Sequence, residues 1–363
     1  MSEKISLDSS ELDSKFLFFV YQTISKIKDA KTPSYLDSCF GNQKITKVIH
    51  TKLNKRLAMI TFKFNSLFDL LTAFPTEESC IKYLEQQRWK DGIPVSPYDI
   101  TSKVYNRGDG MYRCKNTGKN FNVRIGTMFE GSKLPLRKWF VAIYEITSRK
   151  KGISSIELSK RISVTYKTAW FMNQRIRECF GIVMEEKLDG EVELDETFVG
   201  GKNKNRHYNK KVKKCQGRSF KDKVPVMGML QRGGKVVCKV VRDTSYKSLT
   251  APILKTVKRT ATLFSDEWCG YKTVSKLYEH YVVDHGHGQY VDEDAYTNNI
   301  EGFWSILKRG LTGIYNHTSK KHLQRYVNEF CFRYNTRDFD DVSRFNLLLC
   351  NSNHRITFQS LTK

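Results

Sequence analysis

Three short segments each carry one acidic residue in a context that a fold can bring together, and they constrain the chain more than any other feature. Asp195 lies in GEVELDETFVGG, Asp266 in ATLFSDEW and Glu301 in YTNNIEGFWSILKR. In VELDE, strand alternation sends Val192 and Leu194 to one face and Glu193 and Asp195 to the other. Asp266 follows a short apolar run and reads as the end of a buried strand, and ligand sites of α/β sheets gather beyond strand ends. Glu301 falls in the first turn of a helix that Asn298 or Asn299 can cap. Carboxylates so distributed can converge on divalent cations. Mg2+ takes oxygen ligands octahedrally and keeps waters and phosphate oxygens around it. Two such ions about 4 Å apart activate an attacking oxygen and stabilise a leaving one. Any one of these acids reads equally well as a helix cap or a surface charge; the ordered set carries the signal. Between Asp266 and Glu301 lie 34 residues, and Lys308 follows Glu301 by two helical turns on the same face.

At 363 residues the chain can form two or three domains with real cores. Its net charge of +24, from 62 Lys+Arg against 38 Asp+Glu, points to a polyanionic partner, with a solubility device as the plainer reading. The nine cysteines include no C-x-x-C pair and fit reduced thiols. The first apolar run, Phe16 to Tyr21, is too short to span a bilayer. A soluble, cytoplasmic protein without a membrane partner is expected, nucleoid-associated if bacterial.

Five regions are expected. Residues 1–65 form an extension of unknown role, and residues 66–131 a small mixed region with β-prone runs between Gly and Asn clusters. Residues 132–185 read as helices. Leu136, Trp139, Phe140, Ile143 and Tyr144 keep helical spacing after Pro135. Ser154 and Glu157 form an S-x-x-E cap, and a turn at Ser163-Val164 leads to a second helix from Thr165. Helix, turn, helix is a DNA-binding arrangement in which Thr165, Lys167 and Thr168 would reach base edges and Arg175 and Arg177 phosphates. A helical hairpin packed inside the protein is the alternative. Residues 186–340 alternate strands and helices, with a hairpin turning at Gly233-Gly234, and give an α/β fold whose mixed sheet is flanked by helices. Residues 341–363 are left as a tail.

The stretches RWKDGIPVSP, GTMFEGSKLPLRKWFVAIY, KKGISSIELSK, TAWFMNQRIR, DETFVGGKNKNRH, YTNNIEGFWSILKRG and KHLQRYVNEFCFRYNTR resemble insertion-sequence DDE transposases of the ISXO type, related to Merlin transposons. The resemblance spans roughly residues 66–338. It implies an RNase H-like catalytic domain whose triad, carried over by position, is Asp195, Asp266 and Glu301, binding two Mg2+ or Mn2+ ions. Asn298 is the rival third ligand, and Lys308 matches a basic residue that follows the triad. The resemblance also implies double-stranded DNA partners, namely terminal inverted repeats and target, and a homodimer or higher assembly on DNA.

The chain departs from the family where a zinc ribbon carries two C-x-x-C pairs. Here Ser96-Pro97-Tyr98-Asp99 and Cys114-Lys115-Asn116-Thr117 stand instead, so one thiol of four survives. Tetrahedral zinc needs four good ligands, so a degenerate ribbon without structural zinc is expected. Ten Lys/Arg and one Asp lie between Lys202 and Lys223. Within this run Lys202, Lys204, Arg206, Lys210, Lys211, Lys213 and Lys214, together with Arg309, form an expected phosphate-binding set that orders on DNA. His285 and His287 lack a third ligand and read as hydrogen-bonding groups; His317 and His322 read as phosphate contacts or caps. The reading that follows is a transposase that cuts transposon ends and joins their 3′-hydroxyls to target DNA. A catalytically inactive DNA-binding relic or repressor, and a structure-specific nuclease on the same fold, remain the alternatives.

Overall fold

The computed structural model describes residues 64–89, 92–181, 187–201, 207–213, 223–266, 268–271, 273–283, 297–316 and 318–362. The N-terminal extension, most of the basic run after Gly201, and His285, His287 and His317 lie outside the described residues.

Two short helices open the described chain, α1 (Leu67–Ala73) and α2 (Glu77–Arg88). Ser66 and Thr76 cap them reciprocally, each hydroxyl accepting from the N3 backbone while the N3 side chain accepts in return. Pro75 separates the two helices, and the second starts directly after it at the Thr76 cap. Three antiparallel strands follow in the order β1-β2-β3, namely β1 (Val104–Gly108), β2 (Met111–Cys114) and β3 (Asn120–Asn122). Beside them, hydrogen bonds organise the positions where the resemblance places zinc ligands. Ser96 Oγ accepts from the backbone N–H of Tyr98 at 3.2 Å and of Asp99 at 3.4 Å. Burial alone would raise the Cys114 thiol, but the hydroxyls of Ser102, Ser96 and Thr117 and the Thr117 backbone hold it down at about 6.

Helices α3 (Leu136–Ser148), α4 (Ser155–Arg161) and α5 (Tyr166–Cys179) come next. Ser154 caps α4 and Thr165 caps α5, each accepting from the N3 amide. The turn between them uses Ser163 at φ 51°, a left-handed conformation uncommon outside glycine. One apolar core joins α1, α2, the small sheet and α3–α5. It also takes in Phe345 and Leu348 of α9 (Asp341–Cys350), so the region read as a tail supplies interior residues. Phe74, Phe140 and Phe345 meet there edge to face or stacked.

The second core surrounds a five-stranded mixed sheet in the order β6-β5-β4-β7-β8. Its strands are β4 (Glu191–Val199), β5 (Val224–Gln231), β6 (Val236–Val240), β7 (Thr262–Asp266) and β8 (Glu279–Val283). β4, β7 and β8 are parallel, while β5 runs antiparallel to both β4 and β6. On one face Val192, Leu194, Met227, Met229 and Leu263 pack under α6 (Tyr246–Thr256). On the other, Val226, Leu230, Val236 and Cys238 pack under α7 (Asn298–Gly310) and α8 (Leu323–Asn335). Between β7 and β8 the chain makes two single 3-10 turns, Cys269–Tyr271 and Val274–Lys276. The β6 edge is closed by amide side chains. Gln324 accepts from the Val240 N–H and donates to the Cys238 carbonyl, and Asn335 does the same with both backbone groups of Val236.

An ion pair joins α5 to α8. Arg177 is 0 % exposed, and its Nε donates to Glu329 Oε2 at 2.6 Å. Arg333 donates to Glu329 Oε1 at 2.6 Å, and the Tyr315 hydroxyl donates to the same carboxylate. Burial would raise the Glu329 carboxyl, but Arg333, Arg177 and Tyr315 outweigh it and hold it at about 2. A depressed carboxylate contributes stability that is complete above its unfolded value of 4.5 and lost as pH falls through 2. Acid titration of the folded chain is expected to lose stability across that window, and Glu329→Gln to flatten the loss. Arg177→Met, which leaves Glu329 short of one buried partner, is expected to cost about 3 kcal/mol in urea unfolding.

Candidate active site

The sheet register sets the first two acids side by side. β4 and β7 pair in parallel through Leu194 and Ser265, so Asp195 and Asp266 each stand one residue beyond the last pair of the register, and the charge of Asp266 acts on Asp195. Neighbouring strands lie about 4.8 Å apart. Both residues leave the face opposite α6, since Val192, Leu194 and Leu263 pack under that helix. β4 continues past Asp195 to Val199, so this acid sits mid-strand. It stands level with the last residues of β7, where the shared parallel edge stops.

Helix α7 brings the third acid. Trp304 Nε1 donates to Asp195 Oδ2 at 2.8 Å, while the Glu196 amide donates to Asp195 Oδ1 at 2.7 Å. The helix can lie this close because Gly228, the β5 partner of Asp195, has no side chain. A Cβ there would stand 2.6 Å from Trp304 Cζ2 and 2.8 Å from Ile300 Cδ1. The first turn is held from the sheet as well, with the Ile300 N–H and Asn299 Nδ2 donating to Glu193 at 3.0 and 2.8 Å. Glu301 follows Ile300 directly and faces solvent, as does Lys308 two turns on. The Asp266 carboxylate accepts from the Trp268 amide at 3.2 Å.

The electrostatics of Asp195 register the other two acids. Burial raises Asp195 to about 6; the Trp304 and Glu196 hydrogen bonds lower it in part, and the charges of Asp266 and Glu301 push it up again. Both partners of the expected triad therefore act on Asp195. Among the described residues, no three His, Cys, Asp or Glu side chains are grouped as they would be around a bound metal. Carboxylates are the oxygen ligands that a hard divalent cation takes, and a positive charge beside Asp195 would relieve the repulsion acting there. Asn298, the rival third ligand, is exposed at the start of α7.

Other expected site residues divide by exposure. Thr165, Lys167 and the neighbouring Tyr166 are exposed at the start of α5, and Thr168 is half-buried. Lys211, Lys213 and Arg309 are exposed. Lys202, Lys204, Arg206 and Lys214 lie outside the described residues, as does the Lys210 side chain. Arg175 and Arg177 are corrected: neither is available to phosphate. Arg175 is buried and donates to the carbonyls of Met128 and Glu130, both at 2.8 Å, and Arg177 is the buried partner of Glu329. Among the described residues, the His322 side chain accepts no capping hydrogen bond from α8; its Nδ1 lies 2.9 Å from Arg325 Nη1, and its ring packs edge-on against Trp170. The sequence reading missed Gly228, Trp304 as a partner of Asp195, and Glu193. For Glu193 the signal was present, an acid on the same strand face two residues before Asp195.

Residues 187–335 match the family model of the ISXO2-like transposase domain. Over 280 residues the chain is 29% identical to an uncharacterized protein in transposable element ISH50 of Halobacterium salinarum, covering 72% of this chain and 92% of that protein. The resemblance carried by the sequence motifs is thereby borne out. No helix among the described residues is long and apolar enough to cross a membrane.

Two outcomes test this geometry. Because the folded Asp195 carboxyl sits near 6 against an ordinary 3.8, its ionisation opposes folding as pH rises from 3.8 through 6. Metal-free protein is expected to lose up to about 3 kcal/mol over that range, with Mg2+ restoring part of it at pH 8 and Asp195→Asn flattening both responses in thermal melts. Gly228→Ala is expected to displace α7 and cost about 1–3 kcal/mol in chemical denaturation.

Proposed function

With an ISXO2-like transposase domain across residues 187–335 as the premise, we propose that the chain cleaves the ends of a mobile DNA element and joins the freed 3′-hydroxyls to target DNA. The observation that carries this reading is the placing of Asp195 and Asp266 on adjacent parallel strands, on the face over which α7 carries Glu301. The sheet, with its antiparallel β5 between β4 and β6, is proposed to be RNase H-like. Asp195, Asp266 and Glu301 would hold Mg2+ or Mn2+. Such ions, when bound, supply activation of the attacking oxygen and stabilisation of the leaving one.

The protein's own share is positioning. Trp304 and the Glu196 amide fix the Asp195 carboxylate, leaving its other lone pairs free to face a ligand. Lys308, on the exposed face of α7 with Glu301, would bear on the phosphate flanking the scissile bond. The two helices α4 and α5, joined at Ser163, are proposed as a helix-turn-helix that reads the terminal inverted repeats. Only the start of α5 is open to base edges, so Thr165, Lys167 and Thr168 carry that role. Lys211, Lys213 and Arg309 are proposed phosphate contacts. Joining two ends calls for at least a dimer on DNA.

The test is strand transfer in vitro with the terminal repeats that flank the gene. Wild-type protein with Mg2+ or Mn2+ is expected to nick and join these ends. Asp195→Asn should fall to about one thousandth of that rate or lower, the scale of losing a principal electrostatic stabiliser, while binding the repeats with wild-type affinity. A wild type that binds the repeats but neither cuts nor joins them would mark a relic or repressor. Cutting of junctions irrespective of terminal sequence would mark a nuclease.

A further inference from the structure

Glu193 shares a strand face with Asp195, yet it is wholly enclosed, at 0 % exposure. Its carboxylate is fully used inside the protein. Oε2 accepts from the Ile300 backbone N–H at 3.0 Å, and Oε1 accepts from Asn299 Nδ2 at 2.8 Å and from Arg232 Nε at 3.1 Å. The first turn of a helix leaves backbone donors without intrahelical partners and carries partial positive charge, both of which a carboxylate satisfies. Glu193 therefore caps α7 from a neighbouring strand. Arg232 neutralises the buried charge, and it is itself fixed by stacking over Phe264 at 4.0 Å and by a 2.8 Å bond to Glu191.

The spacing gives this cap its consequence. Two residues of strand advance about 6.7 Å, and the four residues from Ile300 to Trp304 advance about 6 Å along a helix. Glu193 and Asp195 thus grip successive turns of one helix face. Glu301 follows the gripped Ile300, so the Glu193 bond sets where the third acid stands. We propose that Glu193 is a positioning residue that, through the first turn of α7, fixes Glu301 relative to Asp195 and Asp266. The proposal rests on reading those three acids as the active centre.

The test uses the full-length protein and Glu193→Gln, which keeps the size of the side chain but loses one acceptor and the charge opposite Arg232. Asn299→Ala is the milder companion, removing one donor at the exposed start of the helix and leaving the fold in place should Glu193→Gln fail to fold. Three quantities are measured: hydrogen exchange at the Ile300 amide, the Mn2+ concentration that gives half-maximal thermal stabilisation without DNA, and single-turnover cleavage at saturating terminal-repeat DNA. For Glu193→Gln, faster Ile300 exchange is expected, with about 10–100-fold losses in metal affinity and cleavage rate, as for residues that orient a metal's ligands. Asn299→Ala should shift all three in the same direction by about threefold to tenfold. DNA affinity should stay at the wild-type value in both. Wild-type metal response and cleavage in a variant whose Ile300 amide is deprotected would overturn the proposal alone. A wild type inert with metal on its own repeats would overturn the reading of the acids, and this proposal with it.

Discussion

The approach of α7 to the β4–β5 pair is the constraint on which the candidate site depends. That approach exists because β5 offers no side chain at Gly228, opposite Asp195 in the register. Trp304 fills the space, and its indole N–H finds Asp195. A bulky aromatic over a strand would ordinarily be only core. Here its polar edge turns the packing into alignment, since the ring that buries apolar area also orients a carboxylate. The apolar side of α7, with Ile300, Phe303 and Leu307, holds the helix down on Val226, Leu230 and Cys238. Its opposite face leaves Glu301 and Lys308 in solvent.

Much of this layer was legible in the sequence because its signals are local. Alternation in VELDE assigned Glu193 and Asp195 to one strand face, the run before Asp266 marked a buried strand, and the period of NNIEGFWSILKR marked a helix with Glu301 and Lys308 aligned. The illegible parts are those set by partners far along the chain. Glu193 shows the limit most plainly. Its pattern declares which face it takes, but the donors it satisfies lie 106 and 107 residues away, so its role as a cap was invisible. Gly228 reads as an ordinary interruption in an apolar strand, and only the register reveals what it leaves room for.

Arg175 and Arg177 illustrate the opposite error. Basic residues on a presumed DNA-reading helix invite assignment to phosphate when the whole chain is strongly basic. The partner of Arg177 lies 152 residues later, in α8, and nothing near it in sequence announces burial. The pair is more than a substitute for solvent. The Arg177 guanidinium lies 4.8 Å from the ring centre of Tyr315 and 4.1 Å from that of Tyr326, and its Nη1 and Nη2 have no hydrogen-bond partner among the described residues. Ring faces therefore take part of the charge that oxygen would otherwise accept. Breaking such a group is costly, because a buried charge left alone has no cheap refuge. The helix whose first turn is open to solvent is in this way joined to the helix that covers the sheet, and the link is a buried ion pair.

Charge then poses its own problem at the acids. A chain with net charge +24 attracts nucleic acid over its exterior, but the phosphates that reach the candidate site meet Asp195, Asp266 and Glu301. Carboxylates already repelling one another at Asp195 repel phosphate as well. Exposed cations nearby offset this in part: Lys308 and Arg309 stand on the same helix as Glu301. They act through solvent, where screening over about 10 Å at 0.1 M salt limits their reach. The buried carboxylate is screened far less. The imbalance is local and low in dielectric, so distant lysines cannot correct it. A positive charge entering the acids' own space would correct it, and a divalent cation held there, as proposed above, would relieve a repulsion that the burial of Asp195 intensifies.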